Sequence, residues 1–104
     1  MPLVRVPVNE AEIARRVKRV ARKLAPEVAY IRHTITPNSS GDESIFFRIL
    51  LSDDASQEKR LQEVSERVEA ELIKAIPFEQ FGLYQYFDYR SRSEQAMLKE
   101  PEWF

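Results

Sequence analysis

His33 is the only imidazole in the chain. No carboxylate or second ligand stands at a spacing that would orient it, so as a general base or metal ligand it lacks its usual partner. Ser39 and Ser40 fall in a cluster of turn formers and Ser44 opens an apolar run; none sits in a strand-to-helix nucleophile elbow. The acidic residues have more to offer. Asp42-Glu43 and Asp53-Asp54 flank the apolar run 44–51, and Asp88 lies in a later one. Carboxylates on adjacent strands can hold a divalent cation for phosphoryl transfer, which would assign Asp53 and Asp88 to Mg²⁺. Asp53 and Asp54 also stand where a helix begins, and capping is the commoner use of aspartate there. Cysteine is absent, which excludes disulfides, thiolate metal sites and cysteine nucleophiles. Gly41 and Gly82 are the only glycines, too few for a phosphate-cradling loop. No catalytic residue, metal site or cofactor is expected from these types and spacings.

These side chains must be positioned by 104 residues, a length suited to one domain spanning 1–104. With 43% hydrophobic residues, 32% charged and a mean hydropathy of −0.46, the chain is composed to fold in water. No apolar stretch approaches the ~18–20 residues of a bilayer span, and Met1 to Val8 holds none near the ~7–15 residues of a signal-peptide core, so no membrane partner and a cytoplasmic location are expected.

Leu3 to Val8 alternates weakly and, with Pro7, predicts a short edge strand. Asn9 with Glu12 then predicts a helix start. Ile13, Val17, Val20, Ala21 and Leu24 share one side of that helix, and Arg15, Arg16, Lys18, Arg19, Arg22 and Lys23 the other. Pro26 ends it. β-Branched and aromatic residues predict a strand over Val28–Thr36, the turn formers Pro37–Asp42 a reversal, and Ser44–Leu51 its hairpin partner. A long helix follows, capped by Asp53 or Asp54 and closed by Pro77. Leu83–Arg90 reads as a further strand, and Ser91 or Ser93 with Glu94 starts a short helix through Lys99. The order is (β)αββαβα, an α+β two-layer sandwich. Its sheet is expected to be three- or four-stranded and mostly antiparallel, with both long helices on one face.

Ile45, Phe47, Ile49 and Leu51 alternate with Phe46, Arg48 and Leu50, so the first set faces the helices. On the preceding strand Ala29, Ile31, His33 and Ile35 match them, leaving Tyr30, Arg32 and Thr34 on the reverse. The last strand offers Tyr84, Tyr86, Asp88 and Arg90 on one side and Leu83, Gln85, Phe87 and Tyr89 on the other, and its pattern leaves open which side faces the helices. Aromatics and arginines on a sheet face without helices imply that something covers it: the last helix, a second copy, or another molecule. Trp103 and Phe104, two large aromatics at the C-terminus, either fold back onto the core or dock into a partner.

In element order, residues 10–99 resemble a minimal nucleotidyltransferase-like domain of bacterial toxin–antitoxin pairs. In that family a Gly-Ser pair opens a helix after the first strand, and carboxylates alternate along the second. Here Ser39-Ser40-Gly41 occupies a turn, the second-strand positions read Ile45, Phe46 and Phe47, and only Asp88 matches the third-strand acid. The resemblance therefore implies a degenerate domain without its catalytic equipment.

Charge is segregated along the chain. Residues 1–41 hold eight Lys and Arg against three Asp and Glu, a charge of +5; residues 42–104 hold eight against fourteen, a charge of −6. The expected function is a non-catalytic cytosolic protein-interaction module: an accessory, antitoxin-like or regulatory subunit that binds a protein partner or itself. Its anchors would be Tyr30, Arg32, Phe46, Arg48, Tyr84, Tyr86, Arg90, Trp103 and Phe104. Two alternatives remain: a divergent nucleotidyltransferase-like enzyme using Asp88 and Asp53 with Mg²⁺, and a single-stranded RNA-binding domain using the basic patch Arg15, Arg19 and Arg22. A pI of 5.9 weighs against the nucleic-acid partner.

Overall fold

The computed structural model describes residues 7–100 and Trp103. Helix α1 (Glu10–Lys23) begins where Asn9 accepts a hydrogen bond from the Glu12 amide at 3.1 Å. The Glu12 carboxylate meets Arg16 at 2.7 Å. Strands β1 (Val28–Pro37) and β2 (Glu43–Leu51) form an antiparallel hairpin. Its turn is built on the Asn38 side chain, which accepts from the Ser40 and Asp42 amides. Gly41 supplies a positive φ of 85°. After α2 (Glu58–Ala75) and the single turn α3 (Phe78–Phe81), strand β3 (Tyr84–Ser91) joins the free side of β2, and α4 (Arg92–Leu98) follows at once.

The architecture is α+β, with a three-stranded sheet in the order β1-β2-β3. The sheet is mixed, because β3 pairs with β2 in parallel. The reason is local: α2 carries the chain from the end of β2 back to its beginning, and a helical crossover between neighbouring strands makes them parallel. Of the fourth strand expected over Leu3–Val8, residues 3–6 lie outside the described residues, and Pro7 and Val8 are not in a strand.

Ile45, Phe47, Ile49 and Leu51 are all at most 1% exposed. They share one core with Ile13, Val17, Val20 and Leu24 of α1 and its C-cap and with Val64, Val68 and Leu72 of α2. Phe47 is sandwiched: it stacks on Phe87 at 5.4 Å and meets Phe78 edge-on at 5.9 Å. Its partner in register is Phe87, and Ile49 pairs with Tyr89. This settles the facing of β3: Phe87 and Tyr89 look toward the helices, and Tyr84, Tyr86, Asp88 and Arg90 lie on the reverse. Helix α2 starts later than predicted, with Gln57 as its N-cap. The carboxylate of Asp53 is engaged elsewhere, accepting from the Ser93 amide at 3.0 Å and its hydroxyl at 2.6 Å.

Candidate functional site: the reverse face of the sheet

The two ladders arrange the reverse face in transverse rows. Tyr30, Leu50 and Arg90 form one row; Arg32, Arg48 and Asp88 the next; then Thr34, Phe46 and Tyr86; and finally Thr36, Ser44 and Tyr84. The face divides between the first row and the rest.

The first row is roofed by the chain's own C-terminal segment. Ser91 caps α4 with a complete capping box, in which its side chain accepts from the Glu94 amide and Glu94 accepts from the Ser91 amide. The helix then lies against β2 and β3. Arg90 is held on three sides. It donates to the buried Gln95 at 3.0 Å, reaches Glu100 at 3.4 Å, and places its guanidinium 4.4 Å from the centre of the Trp103 ring. Gln95 also donates to the Glu100 carbonyl at 3.1 Å, so both ends of its amide are satisfied. Trp103 is 2% exposed and Leu50 6%. Three expected partner anchors are therefore corrected. Trp103 and Arg90 are spent on each other, and Tyr30 is half-buried with its hydroxyl enclosed and unpaired among the described residues. Phe104 lies outside the described residues. Gln95 and Glu100 carried no pattern of their own in the sequence; only the Ser91/Glu94 box pointed to the helix that brings them here.

The remaining rows are open except at Ser44, which is fully buried. Phe46 and Tyr86 stack face to face at 4.9 Å with 13° between their planes. Tyr86 is 42% exposed and Tyr84 58%. The Tyr86 hydroxyl accepts from Asn38 at 3.0 Å, which ties the aromatic row to the hairpin turn. Arg48 donates across the ladder to Thr34 at 3.0 Å, and Arg32 is exposed. At the β3 edge, Tyr84 also borders an apolar groove of about 510 Å³ lined with Ile73, Ile76, Phe78 and Leu83.

The structure does not bring Asp53 and Asp88 together. Asp88 sits opposite Arg48, three residues before the end of β2, about 10 Å along the strand from Leu51, and Asp53 lies beyond that end. Hydrogen bonds from Ser93 hold the Asp53 carboxyl below its ordinary range. Among the described residues, no group of three or more His, Cys, Asp or Glu could hold a metal ion. His33 lies on the covered side of β1. Burial pushes its pKa down against the opposing charge of Glu10. Arg15, Arg19 and Arg22 line the exposed face of α1, away from the sheet's reverse. Among the described residues no helix is long and apolar enough to cross a membrane.

These elements form a two-layer α+β domain with a half-roofed sheet. Solved structures of the MamM CTD share this fold. A cysteine-to-serine variant matches with a TM-score of 0.52 at 15% identity, over 82% of this chain and 99% of that one. A copper form matches with a TM-score of 0.52 at 14% identity, over 81% and 99%. A nickel form matches with a TM-score of 0.50 at 16% identity, over 81% and 99%. No family model and no curated protein matches the chain.

Proposed function

We propose that the chain is a protein-interaction module whose docking surface is the open part of the reverse sheet face. The observation that carries this is the stacked Phe46–Tyr86 pair, continued by Tyr84, on a sheet face that the protein's own helices leave uncovered there. Tyrosines bring large rigid contact area with a polar tip, and Arg32 and Arg48 beside them supply rim charge, the composition that dominates interface energies. The occupant is a protein, either a second copy or a different subunit. The fold shared with the MamM CTD supports a domain of this build as a stand-alone folded unit. Association is the test: Tyr86→Ala and Tyr84→Ala should each weaken it about tenfold or more while leaving the unfolding transition in place. Unchanged association in both would remove this surface from the interface.

A further inference from the structure

Helices α1 and α2 lie side by side with their directions opposed. Lys23 pairs with Glu71 at one end of the contact and Arg16 donates to the Ala75 carbonyl at the other. Between these ties is a cavity of about 230 Å³ lined by Arg19, Val20, Lys23, Glu71, Lys74 and Ala75. Among the described residues, three of the six that line it are cations. Its two negative features are already answered: the Glu71 carboxylate by Lys23 at 2.8 Å, and the carbonyl end of α2 by Arg16 at 2.5 Å. Arg19 and Lys74 are exposed and have no ion-pair partner within 4.0 Å among the described residues, Lys74 acting on Glu71 only across a longer gap.

The cleft also continues outward. Lys18, Arg22, Arg15 and Arg19 follow one another around about 100° of the α1 surface, and none has an ion-pair partner among the described residues. Glu12, the acid on that side of the helix, is taken by Arg16 at 2.7 Å. A chain of net charge −1 thus concentrates at least four unanswered cations around one narrow cleft.

We propose that this cleft binds a short polyphosphate, with Arg19 and Lys74 holding one phosphate in the cavity and Arg15, Lys18 and Arg22 meeting the others. Guanidinium forks match phosphate oxygens two at a time, which favours phosphate over a single carboxylate. Two features limit the ligand to a few phosphates. The stripe from Arg15 to Arg22 rises only about 10 Å along the helix. Among the described residues no aromatic side chain lines the cavity to stack a base, so recognition runs through phosphate alone. The site is separate from the sheet face and does not depend on what docks there.

Titration of the full chain with inorganic tripolyphosphate, followed by calorimetry at low salt, tests the assignment. Saturable one-to-one binding is expected, weakened about tenfold or more by Arg19→Glu and by Lys74→Glu, and progressively by added salt. Lys59→Glu, at the far end of α2, should leave it within about twofold. Circular dichroism of each variant separates lost binding from lost folding; should either reversal unfold the chain, Arg19→Gln and Lys74→Gln replace it. No saturable binding overturns the proposal, as does retained affinity in the folded reversal variants. Tighter binding of a single-stranded oligonucleotide than of tripolyphosphate also overturns it, in favour of a nucleic-acid surface.

Discussion

The guanidinium of Arg90 lies 4.4 Å from the centre of the Trp103 ring, and this contact decides which part of the reverse sheet face remains available. A cation over an aromatic face is attracted by the ring's quadrupole, and desolvation strengthens the attraction. With Trp103 in place, the row Tyr30–Leu50–Arg90 is covered by the protein's own C-terminal segment, and the docking surface proposed above is confined to the rows beyond it.

Trp103→Ala should therefore act on stability. Truncating a tryptophan that is 2% exposed is expected to cost about 3 kcal/mol or more, read as a lower midpoint in urea unfolding. A midpoint unchanged from wild type would mean that the segment is not docked in solution.

Glu27 is the hub of a second set of contacts. One of its oxygens takes Arg60 and the other Arg67, which pair in turn with Asp54 and Glu63. The Glu27 side chain is 22% exposed, so its charge is only partly screened. Glu27→Gln should lower stability by about 1–2 kcal/mol, more than an isolated surface pair would. High salt should narrow the difference between the two proteins in denaturant titrations.

Much of this architecture was legible in the sequence because single residues had one sufficient cause. Asn9 had a free amide to cap, and Ile45, Phe47, Ile49 and Leu51 could alternate only toward an apolar layer. The facing of β3 was not legible, because aromatics stand on both of its sides; only its register against β2 separates Phe87 from Tyr86. Asp53 misled for a related reason. Its position favours a cap, but its carboxylate found Ser93, forty residues away. In the candidate site, type and alternation single out Phe46 and group Tyr84 with Tyr86, but only the register of β3 places that pair beside Phe46. That Arg90 and Trp103 would neutralise each other depends on the path of α4, which no local pattern encodes.

The hydroxyl of Tyr89 donates its one proton chiefly to Glu69 at 2.7 Å, with the Ser65 carbonyl sharing it at 3.2 Å. Burial, and then these ties to Glu69, push its pKa far above the ordinary tyrosine value. A group raised in the folded state contributes stability that is complete below its unfolded pKa and is lost as pH climbs above it. Stability should thus fall above about pH 10. In Tyr89→Phe that alkaline decline should be smaller, as measured by thermal unfolding across the range.

His33 titrates with the opposite sense. Burial lowers its pKa in the fold, so its contribution is present above the unfolded value and declines as pH drops below about 6.5. Replacing it as His33→Gln should flatten the stability profile between neutral and mildly acid pH. An unaltered slope would show that another group carries the acid sensitivity.

The claim that the open sheet rows are a docking surface is tested most directly by placing a photocrosslinking phenylalanine analogue at position 84, at position 86 and, as a control, at position 66 on the outer side of α2. Each variant would be illuminated in the cells that make the protein. A discrete crosslinked protein, a second copy or one other polypeptide, is expected from positions 84 and 86 and none from 66. Absence of any adduct at 84 and 86, or the same adducts at all three positions, would contradict it.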